Sequence, residues 1–143
     1  MKLLALLLLF VIPAQWEPDF ENAKKIATEK HELILLNFSG SDWCGPCIVL
    51  RKDYIESDTF QNMAKENLVL VNADFPRKKK NQLPEDQVKR NEALAEKYNK
   101  EGQFPLTLLL DANGKVLKTY VGKPEISVEK WTEEIKSICT AHK

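Results

Sequence analysis

Cysteine is scarce in this chain of 143 residues: only Cys44, Cys47 and Cys139 are present. Three is too few and too uneven a number for a small domain stapled by disulfides. Histidine is scarcer still, with only His31 and His142, both read as surface residues. Cys139, His31 and His142 are the only other candidate ligands and are not read as a second zinc-ligand pair, so a zinc site begun at Cys44 and Cys47 lacks its other two ligands. No metal and no other cofactor is expected. An excess of one charge is also missing, because 21 Lys and Arg balance 21 Asp and Glu. No whole-molecule field therefore draws the chain toward nucleic acid or a membrane surface, and no nucleic-acid partner is expected. Nor is there a hydrophobic run of the roughly 20 residues that span a bilayer. The unbroken apolar run from Leu3 to Ile12 is about half that length.

That short run has neighbours that give it a meaning. "MKLLALLLLFVIPAQW" places Lys2 before it and the small residue Ala14 after it, behind Pro13. A charged start, a short greasy middle and a small residue at the cut are the parts of a secretory signal peptide. The expectation is a cleaved leader over residues 1–14 and one exported domain over residues 15–143, periplasmic if the host is bacterial. Outside the cytosol a chain can keep disulfides. The remaining composition, 43% apolar and 29% charged, is that of an ordinary globular domain. A monomer is expected.

Elements can be read in order along that domain. "EPDFENAKKIATEKHE" is a helix with Asp19 as N-cap and Phe20, Ala23, Ile26 and Ala27 on its apolar face. "LILLNF", Leu33 to Phe38, runs apolar without alternation, as a strand covered on both faces does. From Pro46 a helix is expected to about Ile55, with the proline harmless in its first turn. A short helix capped at Ser57 or Asp58 follows, and then a second buried strand, "LVLVNAD". "FPRKKKNQLP" is a loop with four consecutive positive charges, Arg77 to Lys80, read first as solvated and otherwise as a docking patch for an acidic partner. "EDQVKRNEALAEKYNKEG" is a helix with Val88, Leu94, Ala95 and Tyr98 inward, ended by Gly102. "LTLLL" and "VLKTYV" form a hairpin around Asn113-Gly114. A last amphipathic helix carries Val128, Trp131, Ile135 and Ile138, with Cys139 beside that stripe as a buried, inert thiol. The order implies an α/β domain with a central mixed sheet and helices on both faces.

Within that order, "WCGPC" sits between a strand and a helix. Two thiols at this spacing can hold a metal, form an inert crosslink, or exchange electrons. The metal lacks ligands, and a crosslink closing so short a loop removes little entropy from the unfolded chain. Placed at a helix start, Cys44 meets free N–H groups and the positive end of the helix dipole, which favour its thiolate. Cys47, one turn on, is expected to be more covered than an accessible Cys44 and able to resolve a mixed disulfide formed there. Gly45 lets a substrate backbone approach, Pro46 stiffens the ring, and Trp43 offers a flat apolar contact.

The chain resembles thioredoxin-fold proteins. "WCGPC" is identical to the active-site motif of thioredoxins, and "QFPLTLLLDANGKVL" resembles the segment that holds the family's cis-proline. The similarity runs from about Glu32 to the end, and "FSGSDWCGPC" with "DFPRKKK" resembles exported bacterial members. The resemblance implies a thioredoxin fold and a thiol:disulfide oxidoreductase. It implies Cys44 as nucleophile, Cys47 as resolving thiol, a cis Pro105 shaping the substrate groove, and Phe104 supplying substrate-facing backbone. Leu106 stands where the family usually has threonine. Asn37 falls where thioredoxins keep a buried acid beneath the second cysteine, and Leu70 where they keep its lysine partner. Asn37 and Asp42 are thus the candidate proton-transfer positions, although an asparagine cannot take up a proton as a carboxylate does. The Gly-Pro interior matches reducing members, which implies disulfide-containing protein substrates and a membrane electron donor. An oxidant or isomerase, and a peptide-binding module without turnover, are the alternatives.

Overall fold

A computed structural model describes residue 14 and residues 16–143. The expected leader, up to residue 13, lies outside the described residues. Helix α1 (Phe20–Lys30) starts where the Asp19 side chain accepts the N–H of Asn22, and stops at His31 in the left-handed conformation. β1 (Leu33–Ser39) is buried at every position. α2 (Gly45–Val49) opens the segment after the cysteines and passes without a break into a π-helical stretch, Leu50–Ile55. α3 (Asp58–Asn67) is capped by the Ser57 hydroxyl. β2 (Leu68–Asp74), α4 (Glu85–Tyr98), β3 (Leu106–Leu110), β4 (Val116–Val121) and α5 (Val128–Ala141) complete the order. Among the described residues no helix is long and apolar enough to cross a membrane.

The strands form one sheet in the order β2-β1-β3-β4. β1 and β2 are parallel, while β1–β3 and β3–β4 are antiparallel. This is the mixed sheet of a thioredoxin fold. One face packs Leu35, Leu70 and Leu109 against Leu50, Ile55, Phe60, Trp131 and Ile135, drawn from the π-helical stretch, α3 and α5. The opposite face packs Ile34, Leu36, Val71 and Leu108 against Phe20, Ala23 and Ala27 of α1, with Leu94 and Tyr98 of α4 at its margin. Covering both faces explains why β1 shows no alternation.

Two local readings are corrected. The helix after the cysteines is not α-helical to Ile55: its last turns widen, and the Glu56 N–H reaches back five residues to the Arg51 carbonyl. Such widening depends on what the turn packs against, so sequence periodicity does not show it. α4 ends at Tyr98 rather than at Gly102, because the Asn99 side chain bonds both the N–H and the carbonyl of Gln103 and turns the chain early. Leu94, Ala95 and Tyr98 turn inward as expected, half-buried against the sheet, and the fully buried residue of α4 is Asn91, which donates to the Asp74 carbonyl.

One edge of the sheet is met by the segment that precedes α1. Trp16 bridges to Leu70 in parallel, and the Glu17 N–H donates to the Leu70 carbonyl across 2.7 Å. The Arg51 guanidinium rests 4.3 Å from the Trp16 ring, holding that segment against the helix side.

Candidate active site

β1 ends at Ser39, and the turn Gly40 to Trp43 delivers Cys44 to the start of α2. The Gly40 carbonyl accepts the N–H of both Trp43 and Cys44. Cys44 is the N-cap residue: its Sγ accepts the Cys47 N–H at 3.3 Å, and its carbonyl accepts the Ile48 N–H. Cys44 and Cys47 are joined as a disulfide. Cys44 is 6% exposed and Cys47 1%. Cys44 is thus the less buried residue of the two, but the expectation of an open Cys44 is corrected. Its sulfur is turned back onto the helix by the bond to Cys47 and by the N–H it accepts. Around it, Gly45 and Pro46 are exposed, as are Ile48 and Val49 on the next turn.

Trp43 leans away from the helix onto a second loop. Its indole N–H donates to the Phe75 carbonyl at 2.7 Å, and its ring meets Phe104 edge to face. Phe104 in turn meets Phe75 edge to face. The Phe104–Pro105 peptide is cis, Pro105 is buried, and its carbonyl accepts the Gly122 N–H. The Arg77 guanidinium lies 3.7 Å from the centroid of the Trp43 ring. Trp43, Phe75, Pro76, Arg77, Gly102 and Phe104 together line an open groove of about 680 Å³.

Beneath the helix face of the sheet runs a polar row. Asn37, 2% exposed, accepts from the Thr107 hydroxyl at 3.1 Å and donates to the Asn72 side chain at 3.3 Å. The three residues are direct neighbours across β3, β1 and β2, and Leu70 lies opposite Leu35, not opposite Asn37. Asp42 is elsewhere. Its carboxylate accepts the N–H of Arg77, the N–H of Lys78 and the Asn81 amide. Those bonds, that to the Arg77 N–H foremost, hold its pKa down at about 2.

Residues 15–112 match a family described as thioredoxin-like. The chain belongs to that family. The disulfide bond reductase DsbH of Chlamydia pneumoniae is 38% identical over 103 residues, which cover 72% of this chain and 60% of that protein. The thioredoxin-related protein DsbJ of the same organism is 34% identical over 95 residues, covering 66% of this chain and 26% of that one. The matched stretch thus spans less than two thirds of either curated relative. A solved structure of a DsbH oxidoreductase superposes with a TM-score of 0.78 at 32% identity, covering 90% of this chain and 86% of the other. A thioredoxin from Thermus thermophilus shares the fold, with a TM-score of 0.66 at 13% identity.

In this thioredoxin-like chain the structure brings Trp43, Cys44, Gly45, Pro46 and Cys47 into one turn, with Phe104 in contact with Trp43. Asn37 sits on the sheet face that carries the helices following Cys47, whereas Asp42 is turned to the loop of residues 77–81. Sequence reasoning did not find Phe75, Asn72 or Thr107, and it did not separate Arg77 from the lysines after it. "DFPRKKK" carried the only signal for two of them: an aromatic residue and an arginine directly behind a strand end.

Proposed function

We propose that this chain is an exported thiol:disulfide oxidoreductase that reduces protein disulfides through the Cys44/Cys47 pair. The observation that carries the reading is the Cys44–Cys47 disulfide at a helix start, with Cys44 Sγ accepting the Cys47 N–H. In the reduced protein the same N–H, with the helix dipole, favours a thiolate on Cys44. That thiolate attacks one sulfur of a substrate disulfide and expels the other as a thiolate, leaving a mixed disulfide on Cys44. Cys47 then attacks Cys44 Sγ, the enzyme disulfide forms, and the second substrate sulfur leaves. Two electrons pass to the substrate and two thiols are released.

The Cys47 proton needs an acceptor during resolution. Asn37 has no titratable group, and a carboxylate held near 2, as on Asp42, is a weak base. The departing substrate thiolate is the stronger base and takes the proton itself or through water. Trp43, Gly45, Pro46 and the Phe104–Pro105 backbone form the substrate-facing surface in this reading.

Similarity to a Chlamydia pneumoniae disulfide bond reductase supports the reducing direction, as does the Gly45-Pro46 interior. Export rests on the pattern of residues 1–14, and a reductant working outside the cytosol draws electrons from a membrane donor. An insulin-type reduction assay with Cys44→Ser beside the native chain tests the enzyme. Equal rates would leave a peptide-binding module in its place. A couple near about −270 mV fits a reductant, and one near about −120 mV an oxidant. N-terminal sequencing of protein taken from its host tests export, and Met1 at the start would refute cleavage.

A further inference from the structure

Thiol exchange at Cys44 does not require Arg77, yet Arg77 is held against the residue that precedes it. Its guanidinium stacks on Trp43, the residue before Cys44, and makes no ion pair among the described residues. Nearby acids have other partners. Asp42 is satisfied by backbone N–H groups and Asn81, and Asp74 by Ser41 and the Phe75 N–H. Glu101 lines a separate cleft with Leu106 and Thr119. Lys78, Lys79 and Lys80 continue the chain from Arg77 and are exposed. The groove therefore has aromatic walls and a rim on which Arg77 and three lysines outnumber the carboxylates of Asp42 and Asp74, Asp42 itself lying within Coulombic reach of Lys78.

Resting on the oxidoreductase reading, we propose that this groove selects protein disulfides that carry an aspartate or glutamate close to the attacked cysteine. The geometry sets the distance. Trp43 directly precedes Cys44, and a substrate joined at Cys44 advances at most about 3.3–3.6 Å per residue, so in this proposal the second residue from the cysteine is the one offered to the Trp43 side. Its apolar portion meets the Phe75 and Phe104 rings, and its carboxylate meets a guanidinium whose planar fork suits two parallel hydrogen bonds. Stacking on the indole restrains Arg77 before the substrate arrives, so less freedom is lost on binding. The lysines add attraction at longer range, which acts on the rate of encounter.

Three peptide disulfides, identical except for Glu, Gln or Lys two residues from the cysteine, test this with the pre-reduced full chain in single-turnover reactions. At low ionic strength the Glu peptide should react roughly three- to tenfold faster than the Lys peptide, with Gln between them. In 1 M NaCl, where the Debye length is about 3 Å, the ratio should fall toward one. Arg77→Lys should keep part of the preference, Arg77→Gln should reduce it to the share left by Lys78 to Lys80, and Arg77→Glu should bring it to about one. The Glu/Lys ratio within each variant is the readout, so a general loss of activity cancels. Equal rates on the native chain, or a ratio that survives Arg77→Glu, overturn the inference. Neutral bis(2-hydroxyethyl) disulfide separates the two levels. A native chain that reduces it without any peptide preference refutes only the selection. One inert to every disulfide refutes the oxidoreductase reading and the selection with it.

Discussion

The Trp43 indole N–H donates to the Phe75 carbonyl across 2.7 Å, tying the residue before the disulfide to the residue just past the end of β2. That bond is possible because Gly40 has no side chain. A β-carbon there would overlap the ring at Cε2, Cζ2 and Nε1.

Gly40→Ala should therefore push the indole off its place and disturb the turn whose Gly40 carbonyl holds Cys44. A loss of about 1–3 kcal/mol in stability is expected from such overpacking, together with slower insulin reduction. Urea unfolding and the reduction assay check both, and an unchanged midpoint would show that the ring yields freely.

Asn37→Asp should lower stability at neutral pH by about 1–3 kcal/mol, because one of its oxygens is set against the Asn72 side-chain oxygen in a buried row. Burial raises the folded-state pKa of the new carboxyl above its unfolded value. The folded state then binds more protons than the unfolded one, so the penalty is absent below the unfolded pKa of about 3.9 and grows as pH rises above it. Unfolding midpoints across pH measure this. The pH profile of turnover should change as well, if the position communicates with Cys47.

Asp42 behaves in the opposite sense. Its pKa is lowered from 3.8 to about 2 by the bonds from Arg77, Asn81 and Lys78. Its stabilising effect is complete above 3.8 and disappears as pH falls toward 2. Asp42→Asn should remove that acid-sensitive component and loosen residues 77–81. Melting temperatures of the two proteins should converge as pH drops through this window, and parallel curves would count against the assignment.

Cys139 should resist alkylation in the folded, reduced protein while Cys44 reacts. Cys139 is 2% exposed, and burial pushes its thiol up to about 11. Iodoacetamide at pH 8 followed by peptide mass mapping would show modification of Cys139 only after unfolding. Early labelling would mean that α5 opens readily.

How much of this was legible in the sequence differs from residue to residue. β1 and β2 could be read because a strand covered on both faces must be apolar at nearly every position, and that is a local property. The hairpin was legible because Asn113-Gly114 marks its own turn, with Gly114 at a φ of +84°. The π-helical turns after Val49 were not, since their widening is decided by tertiary packing. "RKKK" gave four equal charges, and only the fold lays Arg77 on Trp43, 34 positions earlier, while the lysines point to water. Asp42 read as a candidate proton carrier because it neighbours Trp43 in the chain. Its actual partners lie 35 to 39 residues away. Proximity along the chain fixed the thiol pair, whereas the groove beside it is made of residues that meet only after folding.

The position of Trp16 bears on how the molecule meets copies of itself. A fibre grown by strand addition needs two open margins on every unit. On the β2 side, Leu70 is already bonded to the chain's own Trp16–Glu17 segment, and the Asp74 carbonyl at the far end is taken by Asn91. The β2 margin is thus partly occupied by the molecule's own groups, which leaves the β4 margin the more open of the two for backbone pairing between copies.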